Sequence, residues 1–147
     1  MNEPLKKEFE VMWSDLDPNR HMRHSAYNDY AAHMRLKILE DAGLTIKVLE
    51  DLKMGPILFK EETTFYREVG MQGNITMTAA LLKARSDGSR WSFIHDMYRP
   101  DGIKAATVIV HGAWLDLQKR KLAVPPAEIA QHFLDMPKAE NFELEEV

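Results

Sequence analysis

The sequence predicts an α+β domain in which one long helix is followed by a sheet of antiparallel strands. Apolar residues recur at helical spacing between residues 25 and 42, whereas from Gly55 onward they alternate with polar residues in four consecutive runs. Short turn-like segments join these runs, and short connections favour antiparallel pairing because parallel strands need a crossover of a dozen or more residues. A further alternating run around Phe9 adds a fifth strand before the helix.

The predicted helix has one apolar face. This face is formed by Tyr27, Tyr30, Ala31, Met34, Ile38 and Ala42. Ser25 stands at a suitable N-cap position and Gly43 at a suitable C′ position, so the helix is predicted to run from Ser25 to Ala42. Leu36 and Leu39 widen the apolar stripe, which predicts a helix largely enclosed by the sheet.

Alternation of apolar and polar residues also predicts the order of the strands. The first strand holds Phe9, Val11 and Trp13, and the later ones cover residues 57–66, 75–82, 91–98 and 105–115, with 69–73 as a connection. Residues 44–54 are interpreted as a short helical turn or a lid, and Pro125 begins a short final helix. The last strand is apolar on both faces, so we expect the outer face of the sheet to be covered by another subunit or by the final helix.

Composition limits the classes of function. A chain of 147 residues, 45% hydrophobic and 29% charged, fits one domain at 1–137 with an acidic, mobile tail at 138–147. Zero cysteines exclude disulfides, a thiolate nucleophile and cysteine-ligated zinc. The net charge of −4 does not fit a nucleic-acid-binding protein. Apolar runs fall short of the roughly 20 residues that span a bilayer, and a signal sequence is not evident, so we expect a cytoplasmic protein without membrane contact.

The polar loop before the helix is the candidate site. It contains Asp15, Asp17, Asn19, His21 and His24 within ten residues. A polar loop at the N-terminus of a helix often carries chemistry. The two aspartates could instead be turn and capping residues. Asp17, His21 and His24 could also bind a metal, but a fuller set of ligands is not evident, and we expect neither a metal nor a cofactor.

The loop and the order of elements resemble a known family. The run Asp-x-Asp-x-x-x-His-x-x-x-x-x-Tyr, from Asp15 to Tyr27, precedes a long helix and a series of antiparallel strands. This pattern resembles the hot-dog fold, and within it the 4-hydroxybenzoyl-CoA thioesterase-like branch of acyl-CoA thioesterases. The resemblance implies a curved antiparallel five-stranded sheet wrapped around one long central helix. With the apolar outer face, it leads us to expect a homodimer or homotetramer.

The resemblance also implies roles for individual residues. Asp17 stands at the position of the family's catalytic carboxylate, His21 at the histidine of its Gly-His-Val-Asn-Asn run, and Tyr27 at the tyrosine that begins the helix. Asn19 and His21 would orient the carboxylate, the water or the thioester. By analogy with the family, Arg90 would meet the phosphates of coenzyme A.

These roles amount to a mechanism for hydrolysis of an acyl-CoA thioester. Asp17 would act as nucleophile or as general base, and the residues alone do not separate the two. Backbone N–H groups around His24 and Ser25, at the positive end of the helix dipole, would stabilise the oxyanion.

The sequence departs from the family pattern at several positions. Arg20 replaces a glycine, Met22 a valine, and Arg23 and His24 the two asparagines. The segment 15–21 also resembles plant acyl-ACP thioesterases, in which an Asp-x-Asn-x-His triplet has catalytic roles, so an acyl-carrier-protein substrate is an alternative. A second alternative is a non-catalytic hot-dog protein that binds a ligand or acts as a scaffold.

Other polar residues are predicted to be structural. Asp15 is expected to support the loop rather than to act in catalysis. His95 and His111 lie within predicted strands and are expected to be hydrogen-bonded. Of the neighbours Glu61 and Glu62, one must face inward or toward a partner subunit, because side chains alternate along a strand.

Overall fold

The computed structural model describes residues 3–71 and 73–147. The strands are β1 Leu5–Glu10, β2 Met54–Phe65, β3 Asn74–Arg85, β4 Arg90–Tyr98, β5 Lys104–Asp116, β6 Lys121–Ala123 and β7 Lys138–Glu145. The helices are α1 Ala26–Asp41, α2 Ile46–Leu52 and α3 Ala127–Leu134, with a 3-10 helix at Trp13–Asp15. The predicted long helix and the four strands after it are confirmed. Gln72, in the predicted connection 69–73, lies outside the described residues.

The sheet has the order β1-β3-β4-β5-β2, with β6 beside β5 and β7 beside β3. β2 and β3 follow each other in the chain but are not neighbours, so the expectation that every short connection joins paired strands was wrong here. Eight residues lie between them, and at about 3.3 Å each they readily cross the roughly 14 Å spanned by three strand spacings. This crossing segment passes the loop before α1, where Met22 N donates to Val69 O at 2.7 Å.

The first strand begins and ends earlier in the chain than predicted, at Leu5 and Glu10. It pairs antiparallel with β3 and ends at Glu10, because its partner Asn74 is the first residue of β3. Trp13, expected to continue the strand, instead lies in the 3-10 helix with 77% of its surface exposed. The alternation of apolar residues therefore continues past the point where β3 can pair.

Helix α1 packs one face into the core. That face consists of the buried residues Ala26, Tyr27, Ala31, Met34 and Leu39. Ala32 and His33 are exposed, so the prediction of a helix largely enclosed was wrong for this chain by itself. The predicted bounds are confirmed to within one residue at each end, and Gly43 follows with φ +84°, as a C′ glycine does.

The C-terminal segment was expected to be a mobile tail, but it forms β7 instead. This strand runs parallel to β3 and pairs with its second half, beyond the part that pairs with β1. Arg85 Nε donates to Glu145 Oε1 at 3.2 Å, and Lys83 Nζ lies 4.0 Å from Glu145 Oε2. The acidic tail thus meets basic residues of β3, and the sheet has seven strands rather than five.

Helix α3 covers the same face of the sheet as α1. Its Phe133 ring packs on Trp91 and Trp114, with centroid separations of 6.0 and 5.3 Å. Phe133 and Leu36 of α1 line one cavity, which places both helices on one side. The final helix is therefore not the cover of the outer face that the sequence suggested. That opposite face carries hydrogen-bonded polar residues, including Ser92, Asp96, Thr107 and His111.

Candidate active site

The loop between β1 and α1 closes into a tight turn. Arg20 N donates to Asp17 O at 2.9 Å, and Asp17 N donates to His21 O at 2.8 Å. Arg20 completes this turn with φ +64°, in the left-handed region that favours glycine. Glycine, the family residue at this position, adopts such a backbone conformation without strain. Arginine adopts it only at a cost in conformational free energy.

The Asp17 carboxylate organises the turn through one of its two oxygens. Asp17 Oδ1 accepts hydrogen bonds from Asn19 N at 2.8 Å and from His21 N at 3.2 Å. Within residues 3–71 and 73–147, no hydrogen bond reaches Asp17 Oδ2. One oxygen is therefore fixed by the backbone, while the other remains available to a ligand or a water molecule.

A pocket of about 380 Å³ brings most of the predicted site residues together. We call it the loop pocket, and it is lined by Asp17, Asn19, His21, Met22, His24, Tyr27, Phe65, Tyr66, Arg67 and Glu68. Five of the seven predicted site residues are in this set. The pocket adjoins the start of α1, whose first N–H groups lack acceptors within the helix and form the positive end of its dipole.

Tyr27 forms the buried wall of the loop pocket. Its ring meets Phe65 edge-on, with centroids 5.0 Å apart. Burial, followed by the negative charges of Asp17 and Glu68, raises the pKa of Tyr27 above its ordinary value of 10.0. Tyr27 is therefore a neutral phenol at pH 7 and can donate a hydrogen bond into the pocket.

The last residue of β2 and the segment that follows it supply pocket residues that the sequence did not predict. Glu68 lies opposite the loop before α1, where its Oε2 is 3.2 Å from His21 Nε2. Arg67 and Phe65 line the same pocket. The signal in the sequence was weak, since Arg67 and Glu68 are ordinary charged residues after a strand. Only the crossing of the segment between β2 and β3 places them beside the loop.

Two predicted site residues lie elsewhere. Ser25 precedes α1, and its hydroxyl accepts a hydrogen bond from Arg23 Nη1 at 2.5 Å. Arg90 begins β4, and its guanidinium carbon lies 5.3 Å from the centre of the Phe59 ring. The structure does not bring Arg90 to the loop pocket, so its contact with coenzyme A phosphates stays a prediction.

Asp15 is buried beneath the loop and supports it, as the sequence predicted. It is 6% exposed, accepts a hydrogen bond from the Tyr30 hydroxyl and lies 3.5 Å from Arg23 Nη2. Burial and this bond to Asp15 raise the pKa of Tyr30 to about 12. The phenol therefore remains a proton donor that holds the carboxylate and anchors the loop on α1.

A second polar cluster lies beneath the middle of α1. His95 is fully buried and contacts Thr78 O through Nδ1 at 3.1 Å and Arg35 Nη1 through Nε2 at 3.1 Å. Because the carbonyl can only accept and the guanidinium can only donate, Nδ1 carries the proton and Nε2 accepts.

Burial, with the charge of Arg35, lowers the pKa of His95 to about 3. Glu61 faces this cluster, and its charge counters the effect of burial on the pKa of Arg35. Burial nevertheless lowers that pKa to about 10.

Two further features bear on the class of protein. Within the described ranges, no three His, Asp or Glu side chains are grouped so that they could hold a metal ion. Over the same residues, no helix has the length and apolar character that crossing a bilayer requires.

Sequence comparison identifies the family. Residues 11–133 match the family model described as the thioesterase-like superfamily. The chain belongs to the thioesterase-like superfamily. Membership supports thioester hydrolysis as the general chemistry of this family. No protein with a curated description matches the chain significantly.

Solved structures confirm the hot-dog fold. A hypothetical protein of Staphylococcus aureus, solved in complex with CoA, superposes with a TM-score of 0.82 at 20% identity, covering 93% of this chain and 88% of that one. A 1,4-dihydroxy-2-naphthoyl-CoA thioesterase from Synechocystis has a TM-score of 0.80 at 13% identity, with coverage of 90% and 97%. A DHNA-CoA thioesterase from Staphylococcus aureus has a TM-score of 0.74 at 13% identity, with coverage of 81% and 78%.

Proposed function

We propose that this protein hydrolyses acyl-CoA thioesters in the loop pocket, with Asp17 as the reacting carboxylate. The observation that carries the proposal is the geometry of Asp17, which lines a pocket at the start of α1 and whose Oδ1 is held by two backbone N–H groups, leaving Oδ2 without a hydrogen bond among the described residues. A carboxylate fixed in this way needs little reorganisation before it reacts.

The chemistry requires few groups. As a nucleophile, Asp17 Oδ2 attacks the thioester carbon, the C–S bond breaks as the CoA thiolate leaves, and water then opens the mixed anhydride. As a general base, Asp17 takes a proton from a water molecule whose oxygen attacks the same carbon; the C–S bond then breaks, and the CoA thiolate leaves and takes up the proton from Asp17. In both routes the thiolate leaves readily, because the pKa of its thiol is near 8.5.

The surrounding residues would assist at the carbonyl. Backbone N–H groups at the start of α1, around His24 and Ser25, would stabilise the negative charge that develops on the carbonyl oxygen. The neutral phenol of Tyr27 is a further donor on the pocket wall. Asn19 and His21 would orient the carboxylate and the attacking water, and Glu68 holds the His21 ring at 3.2 Å.

Coenzyme A is the carrier that the comparisons favour. One structural neighbour was solved with CoA, and two others are named as thioesterases of a CoA ester. Hydrolysis of an acyl-carrier-protein ester and simple ligand binding remain outcomes of the assay. Cytoplasmic location and assembly as a homodimer or homotetramer also stay predictions from the sequence.

A panel of acyl-CoA and acyl-carrier-protein esters, followed by release of free thiol, tests the proposal. We expect hydrolysis of one or more acyl-CoA esters by the wild type and its loss in Asp17→Asn, which keeps the shape of the side chain. Asp51→Asn on the exposed face of α2 is the matched control and should retain full activity. Activity on carrier-protein esters alone would select the alternative carrier, and binding without hydrolysis would select a non-catalytic protein.

A further inference from the structure

A second pocket adjoins the loop pocket and shares two of its residues. It has a volume of about 710 Å³, within the range of small-molecule sites. His21 and Glu68 line both pockets, so their contact forms the boundary between them. We call this second pocket the outer groove, and its distinctive residues are Trp13, Arg20, Met71, Arg99 and Asp101.

Trp13 gives the outer groove an aromatic surface. It is 77% exposed, whereas the other two tryptophans, Trp91 and Trp114, are 4% and 0% exposed. Met71 lines the same groove and is 48% exposed. An indole left open beside a second apolar side chain is a suitable platform for stacking a nucleobase, and such stacking tolerates any base because each has a π-face.

Arg20 gives the groove a free positive charge. The ion pairs found near it, among the residues that the structure describes, join His21 to Glu68 and Arg99 to Asp101, and none involves Arg20. Arg20 also occupies a left-handed backbone position, φ +64°, where glycine would be unstrained. A strained residue beside an active site points to a role for its side chain, and an exposed guanidinium suits a phosphate.

We infer that the outer groove binds the nucleotide end of coenzyme A, with the adenine on Trp13 and a phosphate at Arg20. The inference rests on the proposed function and deepens it, because it assigns the residues that hold the nucleotide end of the carrier. The pantetheine arm passes the His21 and Glu68 boundary and places the thioester at Asp17. A carrier protein presents pantetheine without adenine and leaves the Trp13 platform unused, so this groove favours CoA.

Kinetics with a full and a truncated substrate test the inference. The same acyl group is supplied as acyl-CoA and as acyl-pantetheine, which lacks the nucleotide, and kcat/KM is measured for both. The preference for acyl-CoA is the ratio of its kcat/KM to that of acyl-pantetheine. Because stacking on an aromatic side chain is commonly strong, Trp13→Ala should lower this ratio by about tenfold or more. The change should appear in KM rather than in kcat, because the nucleotide does not take part in the reaction.

The chain offers a matched pair of variants for the arginine. Arg20→Gly removes the charge and relieves the backbone, so poor folding is not expected to explain a loss of affinity. Arg120 is another arginine with positive φ, +57°, on the turn before β6. Arg120→Gly makes the same change of charge and backbone away from the groove. We expect Arg20→Gly to lower the ratio of kcat/KM for acyl-CoA to that for acyl-pantetheine, and Arg120→Gly to leave this ratio unchanged.

Binding measured without turnover separates this inference from the proposed function. Trp13 is the exposed indole, so CoA should quench the wild-type tryptophan emission, pantetheine should not, and Trp13→Ala should abolish the quenching. Quenching without hydrolysis of any ester would support the groove while refuting the thioesterase. Hydrolysis with the same acyl-CoA preference in wild type, Trp13→Ala and Arg20→Gly would overturn the groove and leave the thioesterase standing.

Discussion

His95 predicts how the stability of the fold depends on pH. It is fully buried, and its Nε2 accepts a hydrogen bond from Arg35 Nη1 at 3.1 Å. Burial and the Arg35 charge lower the pKa of His95 from 6.5 to about 3 in the folded protein. In the unfolded chain His95 therefore takes up a proton near pH 6.5, whereas in the folded protein it does so only when the pH is more than three units lower.

The size of the effect follows from this difference in pKa. A depressed pKa stabilises the fold above pH 6.5, and this stabilisation is lost progressively as the pH falls toward 3. When the pH is lowered from 7 to 5, the stability falls only below the unfolded pKa of 6.5, which is an interval of about 1.5 pH units. At 1.36 kcal/mol per unit this amounts to about 2 kcal/mol of lost stability.

Urea unfolding at pH 7 and pH 5 measures this loss in the wild type and in His95→Gln. Glutamine does not titrate, and its amide can still donate to Thr78 O and accept from Arg35. The variant should lose about 2 kcal/mol less than the wild type over this range, whereas the other five histidines contribute equally to both. An equal loss in the two proteins would refute the assignment of His95 as a neutral, buried acceptor.

Three stability predictions concern the loop and the sheet. Arg20→Gly should stabilise the protein by about 0.5–1 kcal/mol, because it removes the left-handed strain but adds freedom to the unfolded chain, and denaturant unfolding checks the sign. Gly112→Ala should destabilise by at least about 2 kcal/mol, since a Cβ there would lie 2.4 Å from the Trp91 ring, and thermal melting measures it. Tyr30→Phe should lower the free energy of unfolding by about 1–3 kcal/mol in the same melting experiment, because buried Asp15 loses a hydrogen-bond donor. An unchanged melting temperature in Gly112→Ala or in Tyr30→Phe would contradict the contact on which that prediction rests.

Local patterns predicted the elements well, because periodicity depends on which face of each element is buried. Helix α1 was placed to within one residue at each end, and the four strands after it were found. The position of β2 at the far edge of the sheet was missed, since periodicity gives strands but not their neighbours. Strand β7 was missed because its many charged residues are typical of a solvated tail. The sequence alone does not show that one of them, Glu145, pairs with Arg85 of β3.

The candidate site was predicted on one side only. The loop residues are close in sequence, so Asp17, Asn19 and His21 could be grouped from their spacing and from the family resemblance. Glu68 belongs to the opposite wall and comes from a distant segment, so its position depends on tertiary structure. Arg90 was carried over by analogy, and its contact with Phe59 on β2 shows why element order alone does not locate a side chain.

The most direct test of the account compares kcat of Asp17→Asn with that of the wild type on the best acyl-CoA substrate. The affinity for CoA and the circular dichroism spectrum are measured on the same samples. We predict that kcat falls by about 10²–10⁴, while CoA affinity and fold are retained. A kcat within a few-fold of the wild type, in a folded variant that still binds CoA, would contradict the assignment of Asp17 as the reacting group.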